Sequence, residues 1–247
     1  MTNCAPINTA MVLAAGQGTR MRPLTDIMPK PLVPLNGKPL IDHVLDRLAA
    51  ARIQRVVVNV NHFADQLEAY VHGPGAAARR LRVDVSDERE QLLDTGGGVN
   101  KALPLLGPEP FLIHNSDSVW IEGFRPNLDR LMQGWDEQEM DFLLLVAPAI
   151  NSVGYAGPGD FSMAADGRLS RRRERQVVPF AFTGVSIAHP RLFKDAPVGP
   201  FSLNLLWNRA IESKRLFGIR HDGIWMHVGT PESVKQAERC LQTGECG

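Results

Sequence analysis

Near the start of the chain two closely spaced glycines, Gly16 and Gly18, are followed by the cations Arg20, Arg22 and Lys30. Glycine lets a backbone turn sharply and approach a ligand with no side chain in the way. Amide N–H groups freed in such a loop form a concavity for anions, and neighbouring cations neutralise phosphate charge. Phosphate binding is the chemistry this group suits. The spacing matches neither common phosphate loop: a dinucleotide fingerprint needs a third glycine, and a P-loop needs Gly-Lys-Ser/Thr. Two further stretches carry candidate chemistry. In Leu93-Asp-Thr95-Gly96-Gly97-Gly98 consecutive glycines precede a helix-like apolar segment. They read as a loop closing on a ligand ahead of a helix N-terminus or as a flexible linker. Asp117 ends the apolar run from Phe111, as a ligand-facing carboxylate or an ordinary turn aspartate.

These residues need elements to position them. The apolar run 10–15 is too short for an ordinary helix and reads as a buried strand feeding the glycine pair. Pro23, Pro29, Pro31 and Pro34 hold the cationic segment extended and deny it a helix. Asn36-Gly37 marks a turn, after which Leu40, Ile41, Val44, Leu45 and Leu48 recur at helical spacing over 40–51. Residues 56–60 form a second buried strand, and strand, helix, strand implies a right-handed crossover in a parallel sheet. A helix over 61–71 takes Asn61 as its N-cap, and 81–85 alternate as a third strand. Ligands of open α/β sheets bind outside the carboxyl ends of strands. A strand over 110–117 therefore puts Asp117 on the crevice that the glycine pair faces.

Residues 128–134 read as a helix and 141–148 as another core strand. From 151 the chain is turn-rich, with short alternating segments at 160–164 and 180–188 that suit antiparallel strands. A helix over 204–213 and a strand over 224–228 follow. Thr230 then caps a last helix with Pro231 in its first turn. The expected fold is α/β and Rossmann-like: a mixed, mainly parallel sheet flanked by helices, with a smaller antiparallel subdomain.

Composition narrows the partners. With 27 basic against 27 acidic residues the formal charge is zero, so there is no bulk attraction to nucleic acid or a membrane surface. The dense basic run Arg171-Arg-Arg-Glu-Arg175 reads as a solvated surface turn or as a phosphate contact. Cys4, Cys240 and Cys246 have no metal-ligand spacing, which points to reduced thiols, not a disulfide framework or a zinc site. No apolar stretch is long enough to span a bilayer, and the first residues lack a signal-peptide pattern. A cytoplasmic protein is the expectation.

As one string, Leu13-Ala14-Ala15-Gly16-Gln17-Gly18-Thr19-Arg20-Met-x-Pro-Leu-Thr, followed by Pro29-Lys30-Pro-Leu-x-Pro34, resembles the signature of the sugar-1-phosphate nucleotidyltransferases. Val228-Gly-Thr-Pro-Glu232 is similar to a later motif of that family, and the resemblance spans roughly residues 9–240. It implies a single nucleotidyltransferase domain over 1–247, with a nucleotide-binding half at 9–148 and a sugar-phosphate-binding half at 149–240. The implied partners are a nucleoside triphosphate and a sugar 1-phosphate, with no nucleic acid and no membrane, in a monomer or homodimer. Residues 13–19 would cradle the nucleotide, and Thr95, Gly96 and Gly97 would read the edge of its base. Arg20 and Lys30 would be the catalytic cations and Asp117 the Mg²⁺ ligand. Asn115, Asp160, Thr183 and Gly184 would face the sugar.

Larger relatives append a left-handed β-helix, and the absence of hexapeptide repeats here argues against one. Within the family, the glycine run with Lys101-Ala-Leu-Pro-Leu-Leu-Gly107 behind it, and Phe182-Thr-Gly-Val-Ser-Ile187, resemble minimal bacterial uridylyltransferases. Those act on N-acetylmuramate 1-phosphate in cell-wall recycling, which implies UTP. Guanylyltransferases for mannose 1-phosphate are the alternative, and a binding protein without turnover is a second one. Retention of Arg20, Lys30 and Asp117 weighs against the latter.

One departure stands out. The family's final strand carries an aspartate as the second Mg²⁺ carboxylate, and here that place is taken by His227. Imidazole suits softer ions such as Mn²⁺ or Co²⁺ better than Mg²⁺, which prefers oxygen. His227 is a metal ligand, a phosphate or sugar contact, or a filler beside Asp117.

Overall fold

The computed structural model describes residues 6–244 and Cys246, so the expectation for Cys4 lies outside the described residues. Strand β1 (Thr9–Leu13) opens the chain and is followed by 3-10 turns at Thr19–Met21, Leu24–Asp26 and Lys30–Leu32. A two-residue ribbon, β2 (Pro34–Leu35) and β3 (Lys38–Pro39), leads into helix α1 (Leu40–Ala50). Then come β4 (Arg55–Val60), α2 (Ala64–Val71), α3 (Pro74–Ala78) and β5 (Arg82–Asp87). Helix α4 (Asp94–Leu106) is followed by β6 (Phe111–Asn115), β7 (Ser118–Glu122), α5 (Asn127–Gln133) and β8 (Phe142–Pro148). The remainder is β9 (Phe161–Met163), β10 (Leu169–Arg171), β11 (Phe180–Ala188), α6 (Leu203–Glu212), β12 (Leu216–Arg220), β13 (Gly223–His227) and α7 (Pro231–Thr243).

The main sheet has a parallel half in the order β5-β4-β1-β6. Strand β11 runs antiparallel between β6 and β8, and β12 lies parallel to β8 at the far edge. The β9–β10 hairpin joins β11 where Phe161 meets Phe180. A separate antiparallel ribbon pairs β7 with β13. The sheet is thus mixed, with parallel strands around β1, and helices cover both faces. Side chains alternate between the faces: Ala10, Val12, Val56 and Val58 pack on one, under α1, α2 and α5. Met11, Val57, Phe111 and Ile113 pack on the other, under α4 and α6. Burial on both sides is why these strands read as continuous apolar runs.

Topology sets the crevice. The chain winds outward from β1 to β4 and β5, then returns to the opposite side of β1 as β6. The connections at the carboxyl ends of β1 and β6 therefore diverge and leave a cleft.

Three local expectations are corrected. Helix α2 begins at Ala64, not Asn61: Phe63 takes the N-cap in a left-handed conformation, while the Asn61 amide donates to the Glu88 carbonyl at 2.5 Å. The glycines 96–98 lie inside the first turns of α4, not in a loop ahead of it. Cys240 and Cys246 form a disulfide, where reduced thiols were expected. Gly244, at φ 74°, ends α7 and turns the chain back so that Cys246 meets Cys240. Spacing alone does not reveal such a reversal.

Candidate active site

The loop after β1 owes its shape to a buried amide. The Asn59 side-chain oxygen accepts the N–H groups of Ala14 (2.7 Å) and Ala15 (3.3 Å). Gly18 has φ 64°, and a Cβ there would come within 2.8 Å of Thr25 Cγ2 and 3.0 Å of Lys30 Cβ. Only glycine allows that turn and that approach. Among the described residues, the N–H groups of Gly16, Gln17, Gly18 and Thr19 donate to no protein acceptor. A run of unpaired amides in a glycine loop is suited to an anion. At Gly16 a Cβ would meet nothing within 4 Å, so packing does not require glycine there.

Lys30 and Asp117 meet across the cleft. The Lys30 ammonium ion-pairs with Asp117 Oδ2, the two side chains being 14% and 23% exposed. Burial by itself would raise the Asp117 carboxyl; the Lys30 charge outweighs it and holds the group below the ordinary carboxylate range. His227, at the end of β13, feels the Asp117 charge, and its ring Nε2 lies where a Cβ on Gly229 would approach to 2.9 Å. Burial lowers its pKa, reinforced by Arg20 and Lys30 and opposed by Asp117, so it is a neutral imidazole near pH 7. A neutral imidazole can ligate a metal ion. Among the described residues there is no cluster of three or more His, Cys, Asp and Glu able to hold a metal. Asp117 with His227 is a donor pair, and Mg²⁺ held by one or two protein ligands completes its shell with phosphate oxygens and water. The residues present fit such an ion.

A cavity of about 450 Å³ joins these parts. It is lined by Leu13, Ala14, Ala15, Gly16, Gly18, Thr19, Arg20, Lys30, Thr95, Asn115 and Asp117 from the set expected to act. The rest of that set lies elsewhere. Gln17 is exposed outside the wall, and His227 stands behind Gly229. The amides of Gly96 and Gly97 already donate to the Phe201 carbonyl at 2.8 and 3.0 Å, which leaves them no proton for a base. These glycines serve close packing: a Cβ on Gly96 would fall 2.4 Å from the Phe201 ring, and one on Gly97 2.5 Å from the Gly199 carbonyl. Thr183 is buried and its hydroxyl donates to the Leu145 carbonyl at 2.8 Å, away from the cavity. Gly184 backs Asn115, with a Cβ position 2.9 Å from the Asn115 amide nitrogen. Asp160 Oδ2 accepts the N–H of Phe182, 22 residues on in β11, at 2.8 Å, so its bond is a long-range tie to that strand and not local turn chemistry.

Two wall residues escaped the sequence reading. Asn59 also donates to Glu88 Oε1 (2.7 Å), and Glu88 Oε2 accepts the Leu93 N–H (3.1 Å). Glu88 is fully buried beside Gly98, where a Cβ would be 2.7 Å from its carboxylate. Burial raises its pKa, against the Asn59 and Leu93 hydrogen bonds and the charge of Lys101. Leu92, Thr95 and Glu88 line the same cavity as Asp117.

A mainly parallel α/β sheet whose strand ends bring loop amides, the cations Arg20 and Lys30 and the Asp117 carboxylate to one cavity has the make-up of a nucleotide-phosphate site. Residues 10–157 match the model of the MobA-like NTP transferase domain, and the chain belongs to that family. It is 45% identical over 232 residues to the N-acetylmuramate alpha-1-phosphate uridylyltransferase of Caulobacter vibrioides, covering 94% of this chain and 96% of that one. The enzyme of the same name from Neisseria meningitidis is 34% identical over 93% of this chain and 96% of its own. The fold is shared with a UDP-glucose pyrophosphorylase solved in complex with UDP-glucose, at TM-score 0.80 and 18% identity, over 97% of this chain and all of the other. The chain is therefore a nucleotidyltransferase.

Proposed function

We propose that the enzyme transfers uridylyl from UTP to N-acetylmuramate 1-phosphate, releasing pyrophosphate and forming a nucleotide sugar for cell-wall recycling. The observation that carries this is the Lys30–Asp117 pair set beside four unpaired loop amides, in a chain 45% identical to a uridylyltransferase for that sugar. A phosphate oxygen of the sugar 1-phosphate attacks the α-phosphorus in line, and pyrophosphate departs. Phosphoryl transfer rewards positioning and charge neutralisation, so no protein nucleophile is required. The amides of residues 16–19 and Arg20 hold the departing phosphates. Lys30 neutralises the α-phosphate or the incoming phosphate. Asp117, with His227, would hold the divalent ion, which supplies further charge neutralisation at the phosphoryl oxygens.

Residues 9–148 supply the nucleotide side and 149–240 the sugar-phosphate side of one domain. Among the described residues no helix is long and apolar enough to cross a membrane, and the cytoplasm is our assignment. Pyrophosphate release from UTP and Mg²⁺ with a panel of sugar 1-phosphates tests the reading. Turnover with another sugar only would replace the acceptor, and no turnover with any would favour a binding protein.

Two outcomes follow at this site. UTP should exceed GTP, CTP and ATP in kcat/KM with one good acceptor; a purine preference would support the mannose-1-phosphate guanylyltransferase alternative. His227→Asp should move metal preference from Mn²⁺ or Co²⁺ toward Mg²⁺, because carboxylate oxygen is the harder donor. The ratio of kcat/KM in Mn²⁺ and Mg²⁺ reads this. An unchanged ratio removes His227 from the metal shell and leaves it as a substrate contact.

A further inference from the structure

Asn59 stands among the buried valines of β4, Val56, Val57, Val58 and Val60. An amide costs free energy in such a place unless its polar atoms are bonded, and those of Asn59 are bonded in two directions. Its oxygen takes the N–H groups of Ala14 and Ala15, at the start of the loop whose next four amides are unpaired. Its Nδ2 donates to Glu88 Oε1 at 2.7 Å, and Glu88 Oε2 accepts the Leu93 N–H at 3.1 Å. Glu88 is itself fixed through its backbone. Its N–H donates to the Val60 carbonyl at 2.8 Å, and its carbonyl accepts the Asn61 side-chain amide at 2.5 Å.

The line Leu93–Glu88–Asn59–Ala14 therefore joins two stretches of one cavity wall, since Ala14, Ala15, Asn59, Glu88 and Thr95 all line that cavity. Helix α4 leaves room for the line by carrying glycine where it passes. A Cβ on Gly98 would lie 2.7 Å from Glu88 Oε1 and 2.9 Å from Asn59 Nδ2. The far end of the loop is held separately, by the Thr25 hydroxyl donating to the Gly18 carbonyl at 2.9 Å. Loosening the line would thus free the Ala14–Ala15 end and displace the unpaired amides without unfolding the loop.

We propose that Asn59 and Glu88 are positioning residues for the nucleotide: their hydrogen bond sets the amides of residues 16–19 in register with segment 88–95 of the same cavity. The identity of that nucleotide rests on the reading under Proposed function. Glu88 is fully buried and acts through Asn59, which acts through the backbone that it bonds. Small displacements of groups that hold a reacting phosphate are costly in rate.

A reciprocal exchange tests this. Asn59→Asp keeps an acceptor for the loop amides but sets a second carboxylate against Glu88 where a hydrogen bond stood. Glu88→Gln sets its new NH₂ against either the Asn59 NH₂ or the Leu93 N–H. Combined, the two substitutions restore every bond with the central one reversed, the new amide donating to the new carboxylate, at unchanged net charge. Each single variant should lower kcat/KM for UTP roughly 10- to 100-fold, as for loss of a buried hydrogen bond to a charged group. The KM for the sugar 1-phosphate should stay as in the wild type, and the double variant should recover most of the loss.

Rates are compared at a temperature where melting curves show each protein folded. Glu88→Gln removes a buried charge together with one bond, so it carries the test if Asn59→Asp does not fold. Single variants that melt earlier yet keep the wild-type kcat/KM would make the bond purely structural and overturn the proposal. A double variant that regains the melting temperature but not the rate would also overturn it. A wild type that binds UTP with Mg²⁺ but transfers it to no sugar 1-phosphate removes the transferase reading instead. UTP affinity then replaces kcat/KM, and the same exchange decides the proposal.

Discussion

Lys30→Ala is expected to lower turnover roughly 10²- to 10³-fold, the loss typical of removing one donor aimed at developing charge. Lys30 sits on the 3-10 turn Lys30–Leu32, and its stem packs beside Gly18. That anchor aims the ammonium at Asp117, into the same cavity as the loop amides. Transferring a nucleotidyl group concentrates negative charge between the incoming phosphate and the departing pyrophosphate, and Lys30 is the least exposed cation available there. Arg20 is exposed on the cavity rim, so Arg20→Ala should lower turnover as well, by less. Removing Lys30 leaves the Asp117 carboxylate facing an open cavity, where water can solvate it, so the fold should survive. Pyrophosphate release and a thermal melt on the same preparation check both halves. Near wild-type turnover in Lys30→Ala would place the active site elsewhere.

Asp117→Asn should be at least as damaging, by roughly 10³-fold, because several kcal/mol of charge stabilisation depends on a bound divalent ion. The two variants separate by their metal dependence. Lys30→Ala should keep the wild-type Mg²⁺ concentration for half-maximal rate, whereas Asp117→Asn should need far more or show no saturation. An unshifted Mg²⁺ titration in Asp117→Asn would assign the ion to other groups. The pH dependence has a definite sign. A folded-state pKa below the unfolded value means that the Lys30–Asp117 pair stabilises the protein above the unfolded carboxylate pKa. That contribution is lost only as pH falls through the lower, folded value. Asp117→Asn should remove this acid-side dependence from the melting temperature.

Much of the nucleotide side was legible because it is local. The buried run of β1 and the glycines after it dictate strand and turn through dihedral preferences that act within a few residues. The prolines around Lys30 do exclude an α-helix, but the segment expected to be extended winds into three short 3-10 turns. The capping box of α7 is equally local: Thr230 and Ser233 satisfy each other's backbone as the sequence signals. Asn59 and Glu88 gave no such signal. Asn59 lies opposite Ser86 in the parallel register of β4 and β5, and this register brings it to the buried Glu88 just beyond β5. A single polar residue in an apolar strand does not announce its partner 29 positions away.

The glycines 96–98 show the complementary limit. Their composition declared a close backbone approach, and the approach exists, but its objects are the Phe201 ring, the Gly199 carbonyl and the Glu88 carboxylate. Thr183 likewise had the right neighbours in sequence, but it lies in the two-residue irregularity of β11 against β8, between Phe182 and Val185, with the hydroxyl bonded inside the core. The cysteine pair depended on a left-handed glycine reversing the chain.

The sequence by itself determined the class of fold, the phosphate loop with its cations, and the carboxylate at the end of β6. Periodicity and backbone permissiveness are short-range properties, so they can be read in order along the chain. Only the tertiary structure decided that Lys30 pairs with Asp117, and that Asn59 holds the loop and Glu88 together. Those are meetings of side chains from segments far apart in the chain. They depend on register, crossover and the return of β6 to β1, where a displacement of one residue reverses the face on which a side chain stands.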